Sequence, residues 1–102
     1  MLNNLVKRRL QLNIKQKDLA KFIGYNSTSY SNIENGNRTM SIETLYKLSY
    51  ILNIHPLSIL EIIPHILPLD DTSKLYIKQR YNFNDEEIEK LSSKANIYNI
   101  TK

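Results

Sequence analysis

Residues 16–36 read QKDLAKFIGYNSTSYSNIENG, and the spacing within this stretch decides the fold. Leu19, Ala20 and Ile23 fall on one side of a short helix running from about Gln16 to Phe22. Gly24 then supplies a break that a residue with a side chain would resist. Asn26 is a favoured N-cap, and it opens a second run to about Glu34 that turns Tyr30 and Ile33 inward. The Asn35-Gly36 pair stops that run. Two short helices that cross steeply need a small residue where they touch and a glycine where the chain reverses. Ala20 and Gly24 meet both needs. The chain has only two glycines, Gly24 and Gly36, and each falls at an expected helix end.

Upstream, Leu2, Leu5, Val6 and Leu10 recur at helical spacing with Arg9 on the same side, and Asn13 is expected to end that helix. Downstream, Ser41 can cap a fourth helix with inner positions Ile42, Leu45, Leu48, Ile51 and Leu52. Pro56 suits the first turn of a fifth carrying Leu57, Leu60 and Ile63, and Pro64 and Pro68 forbid its continuation. A connector to Asp71 follows. Thr72 to about Arg80 reads as a helix with Leu75, Tyr76 and Ile77. Asn84 followed by Glu87 resembles a capping arrangement for a last helix with Ile88, Leu91 and Ala95 on one face. No strand alternation, repeat or low-complexity tract appears, so the chain is expected to be all-α: five helices over residues 1–63 and a helical extension over 64–102.

Composition narrows the function. Hydrophobic residues make up 41% and charged residues 24%, ordinary for a globular protein. No apolar run reaches the roughly 20 residues needed to span a bilayer, so no membrane association is expected. The opening Met1-Leu2-Asn3-Asn4-Leu5 lacks a basic region followed by an apolar stretch, so no signal peptide is expected either. Cysteine is absent, which removes disulfides, thiolate metal sites and cysteine nucleophiles and fits a cytoplasmic location. The net charge of +4 lies entirely in residues 1–63. There Lys7, Arg8, Arg9, Lys15, Lys17, Lys21, Arg38 and Lys47 face only Asp18, Glu34, Glu43 and Glu61, which is where a polyanionic partner would be met, although so mild an excess is also common on proteins that never touch nucleic acid. His55 and His65 lack companion ligands, so no metal or other cofactor is expected. No Ser–His–Asp order, phosphate loop or carboxylate pair stands out, and enzymatic activity is not expected.

The chain also resembles a known family. From Leu5 to about Leu60 it is similar to the Xre or Cro/CI type of helix-turn-helix domain, the lambda-repressor-like fold. The matching text is Arg9, then Ile14-Lys15-Gln16-Lys17-Asp18-Leu19-Ala20, Ile23-Gly24 and Ile33-Glu34-Asn35-Gly36-Asn37-Arg38. Ser41-Ile42-Glu43-Thr44-Leu45 and Leu52-Asn53-Ile54-His55-Pro56-Leu57 continue it. Lys15 departs from the pattern, standing where members often carry Thr or Ser as the cap of the second helix.

The resemblance implies a regulator that reads double-stranded DNA. With Tyr30 and Ile33 inward, Ser27, Thr28, Ser31 and Asn32 lie on the opposite face of the third helix. The residues matching Ser27, Thr28 and Asn32 touch base edges in the family, and Asn32 can pair bidentately with adenine N6 and N7. The bland alternative is a polar, solvated face. Gln16, at the first turn of the second helix, is a candidate phosphate contact. Asn35, Asn37 and Arg38 resemble the family's phosphate-contacting loop, although Asn35-Gly36 also serves as a helix stop and Arg38 could be a solvated charge. Arg9 and Glu34 are implied to form a buried ion pair that orients the recognition helix.

A homodimer would place two recognition helices about 34 Å apart and read a palindrome, as repressors do. The region from Ile54 to Ile63, with the helices from Thr72 to Ile97, is the expected dimer surface. Its apolar excess, Ile59, Ile62, Ile63, Ile66, Leu67, Leu69, Tyr76, Tyr81, Phe83 and Tyr98, exceeds what a small domain readily hides. Alternatively the tail completes the monomer core. Other readings are an antitoxin, whose extension would cover a protein partner while the domain represses its own operon, and a controller of a restriction–modification operon.

Overall fold

The second and third helices are set by caps and breaks at the positions just described. In a computed structural model, which describes residues 1–81, 83 and 86, α1 spans Asn3–Gln11, α2 Gln16–Ile23, α3 Ser27–Asn35, α4 Ile42–Leu52, α5 Pro56–Ile59 and α6 Asp71–Tyr81. No strand occurs among the described residues, and the fold is all-α. Asn13 has φ 56°, the left-handed turn that separates α1 from α2. Gly24 closes α2 at φ 80° and Gly36 closes α3 at φ 82°. The Asn26 side chain accepts the Ser29 N–H at 2.7 Å, and the Ser41 hydroxyl accepts the Thr44 N–H at 3.1 Å. Lys15 makes no side-chain cap to α2.

The core is one cluster drawn from α1 to α5. Leu5, Leu19, Tyr30, Ile33, Leu48, Leu52, Ile54 and Ile59 are fully buried, with Leu12, Ile14, Ala20, Phe22 and Ile23 around them. Two expected inner residues face out instead: Leu10 and Ile42 are exposed. Leu10 stands five residues beyond Leu5, about 140° around the helix from it. Several polar residues also take inner positions, held there by hydrogen bonds. The Ser49 hydroxyl donates to the Leu45 carbonyl at 2.9 Å, and the Ser58 hydroxyl accepts the Leu67 N–H at 3.1 Å. The Asn4 amide donates to the carbonyls of Ser58 at 3.0 Å and Pro64 at 3.1 Å. Glu61, itself at φ 60°, accepts the Asn4 N–H and serves the start of α1, where Leu2 offers no cap.

The fifth helix is shorter than its apolar spacing suggests. It buries Ser58 and Ile59, while Leu57 and Leu60 stay exposed. Beyond it the chain returns to the core. The His55 N–H donates to the Leu67 carbonyl at 2.7 Å, Leu69 is buried, and Ile66 packs on the core cluster. Helix α6 lies against α4 with Ile77 as its buried residue. Leu75 and Tyr76 of the same helix are exposed. Phe83 sits against Phe22 of α2 at 5.5 Å between ring centroids and against Tyr50 of α4 at 4.8 Å. Tyr81 lies beside Tyr46. The expected last helix, with Asn84, Glu87, Ile88, Leu91 and Ala95, lies outside the described residues, as does Tyr98.

Candidate nucleic-acid interface

Helix α3 has two unlike sides. Tyr30, Ile33 and Glu34 are buried, Ser27 and Thr28 are exposed, and Ser31 and Asn32 are half-buried. The four candidate base-reading residues therefore share one edge. They are short and uncharged, so the edge forms a narrow polar ridge able to approach base edges closely. Asn35, Asn37 and Arg38 are exposed where α3 ends. The Asn32 carbonyl accepts the N–H of Asn37 at 2.9 Å and of Arg38 at 3.2 Å. Those two bonds hold the loop in fixed register with the ridge.

A buried polar cluster lies behind α3. Arg9 and Glu34 form a forked ion pair, Nε to Oε2 at 2.6 Å and Nη2 to Oε1 at 3.2 Å. Arg9 Nη1 donates to the Ile14 carbonyl at 2.9 Å. Gln16 is drawn into the same cluster: its Nε2 donates to Glu34 Oε1 at 2.8 Å. One amide hydrogen of Gln16 is thus committed to the protein, leaving the other and the backbone at the start of α2 for any outside partner. The Tyr30 hydroxyl is buried beside this pair, and burial together with the negative charge of Glu34 holds it far above the usual phenol range. These contacts tie α1, α2 and α3 into one rigid unit.

Arg38 is better placed than its loop position suggests. Its guanidinium lies over the ring of Tyr25, 4.8 Å from the centroid. Tyr25 reads from the sequence as one of the apolar positions flanking Gly24, but no spacing rule relates residues 25 and 38, so the pairing itself is not legible there. Among the described residues no group of three or more His, Asp or Glu is placed to hold a metal ion, and no helix is long and apolar enough to cross a membrane.

Two short helices joined through Gly24, the second offering a polar edge and an exposed basic loop, define a helix-turn-helix DNA-binding module. The chain matches the helix-turn-helix family model over residues 5–59 and belongs to that family, of the Xre and Cro/CI type; it is a DNA-binding transcription regulator. Neither a curated protein nor a solved structure matches it.

Proposed function

We propose that the protein is a repressor that binds a palindromic operator as a homodimer, with α3 in the major groove. The observation that carries this reading is the ridge of Ser27, Thr28, Ser31 and Asn32, bounded by the exposed Asn35, Asn37 and Arg38. In this reading Asn32 pairs with an adenine and Thr28 offers its methyl to a thymine. Asn35, Asn37 and Arg38 hold phosphates, as does the free part of Gln16. With no Arg or Gln on the ridge, DNA shape and bridging water supply much of the selectivity. Residues 1–63 form the DNA-reading unit, and residues 64–102 form the extension.

The same reading places the dimer surface around α5, where Leu57, Leu60, Ile62 and Leu67 are exposed. Ile59 and Leu69 are buried within the monomer, so they take no part in such a surface. Selection from a random duplex pool at two salt concentrations tests the proposal. Enrichment of two inverted half-sites about one helical turn apart, with affinity falling steeply as salt rises, is the expected result. A pool that enriches a single unrepeated site would overturn the dimer, and a pool that enriches nothing would overturn sequence reading altogether.

A further inference from the structure

We infer that Tyr25 is a positioning residue for DNA binding: its ring holds the Arg38 guanidinium ready for a phosphate, and the start of α4 holds the ring. The inference rests on the proposed role of Arg38 in phosphate contact and names what prepares that contact.

Three observations carry it. First, the Arg38 guanidinium stacks on Tyr25 while Arg38 remains exposed, and no described carboxylate forms an ion pair with it. A guanidinium bound to a ring face keeps its N–H edge free for a bidentate oxygen partner, which a carboxylate neighbour would occupy. Second, the ring does not float. Tyr25 packs against the core cluster, and its N–H donates to the Ala20 carbonyl at 2.8 Å. Third, its hydroxyl ends a directed relay. The Thr44 N–H donates to Ser41 Oγ at 3.1 Å, the Ser41 hydroxyl donates to Thr44 Oγ1 at 3.1 Å, and the Thr44 hydroxyl donates to Tyr25 Oη at 3.3 Å. Thr44 is buried, so this relay is anchored in the fold.

The consequence is physical. An arginine on a loop loses side-chain freedom when it grips a phosphate, and that loss weakens binding. Stacking on a ring already fixed by α2 and α4 removes part of the loss before DNA arrives. The Arg38 N–H bond to the Asn32 carbonyl fixes the other end of the residue. Arg38 is therefore held at both backbone and head, in register with the recognition ridge.

The experiment measures duplex affinity against salt for the full chain carrying Tyr25→Leu, Tyr25→Phe, Arg38→Ala or Tyr25→Leu with Arg38→Ala, using the pool-selected duplex and an unrelated one. Thermal melting of each free variant runs in parallel. Arg38→Ala should flatten the salt slope by about one unit per bound subunit, so about two units for the dimer on a full palindrome. Tyr25→Leu should weaken both duplexes by about two- to fivefold, Tyr25→Phe, which keeps the ring but loses its tie to Thr44, should recover only part of that, and Tyr25→Leu should cost nothing further once Arg38 is gone. In the free protein, the ring-current shift on the Arg38 side-chain protons should vanish in Tyr25→Leu and persist in Tyr25→Phe. Equal losses from Tyr25→Leu with and without Arg38 would overturn the inference while leaving the phosphate contact standing. An unchanged slope in Arg38→Ala would overturn the phosphate contact and the inference with it.

Discussion

At the scale of single residues, the Arg9–Glu34 pair shows how a buried charge serves orientation more than stability. Both side chains are nearly enclosed, at 10% and 2% exposure, so desolvation offsets most of their attraction. Removing one partner leaves the other charge buried alone. Glu34→Leu should therefore lower stability by about 3–5 kcal/mol, read as the drop in thermal or denaturant midpoint. Arg9→Met combined with Glu34→Leu should recover much of that loss, since no charge is stranded; a double variant as unstable as the single would show the pair to be a net stabiliser. Asn32 makes a contrasting case, because it is half-buried and lies outside the core cluster. Asn32→Ala should leave melting nearly unchanged and cost about 1–3 kcal/mol of affinity at one adenine position per half-site. Uniform weakening across all duplexes would remove its base-reading role.

At the scale of elements, caps explain both what the sequence announced and what it hid. Asn13, Asn26, Gly24, Gly36 and Ser41 act within a few residues of themselves, so the bounds of α2, α3 and α4 were legible from local chemistry. The inner faces were less so. Hydrophobic periodicity assigned Leu10 and Ile42 inward because it takes no account of Asn4, Thr44, Ser49 and Ser58, polar residues that bury once hydrogen bonds satisfy them, from distant chain for Asn4, Thr44 and Ser58 and from the Leu45 carbonyl of its own helix for Ser49. Helix α6 carries a testable cap. Asp70 accepts the Ser73 N–H at 3.1 Å and the Ser73 hydroxyl at 2.6 Å, and these bonds, the hydroxyl's first, hold its carboxyl below the usual carboxylate range. A depressed carboxyl stabilises the folded form above its unfolded pKa, and that contribution disappears as pH falls through the folded value. Amide exchange in the first turn of α6, corrected for intrinsic rates, should therefore lose protection below about pH 4. Asp70→Ala should show the weaker protection already at neutral pH, with no further loss on acidification; an unaltered pH profile in that variant would assign the effect to another group.

At the scale of the whole molecule, the site was more legible than the chain's return path. The recognition ridge follows from one helical period and one glycine, whereas the seat of Phe83 between Phe22 and Tyr50 depends on where α6 lands on α4. Ile77, rather than Leu75 or Tyr76, meets the core because α4 fixes which side of α6 is covered. With residues 66, 69, 77 and 83 drawn onto the monomer, the apolar surface left near α5 narrows to Leu57, Leu60, Ile62 and Leu67. Ile62 is the sharpest probe of it, being 67% exposed and so free to change without opening the core. If two copies meet there, Ile62→Glu would set like charges against an apolar partner surface. Sedimentation equilibrium should then show a monomer whose melting temperature matches that of the parent chain at concentrations where the parent is also monomeric. Its affinity for a single half-site should be preserved while its advantage on the full palindrome is lost, because linkage between two half-sites multiplies affinity only when both modules travel together. A dimer that survives Ile62→Glu would move the interface away from α5, and the exposed side of α6 around Leu75 and Tyr76 would be the next surface to charge.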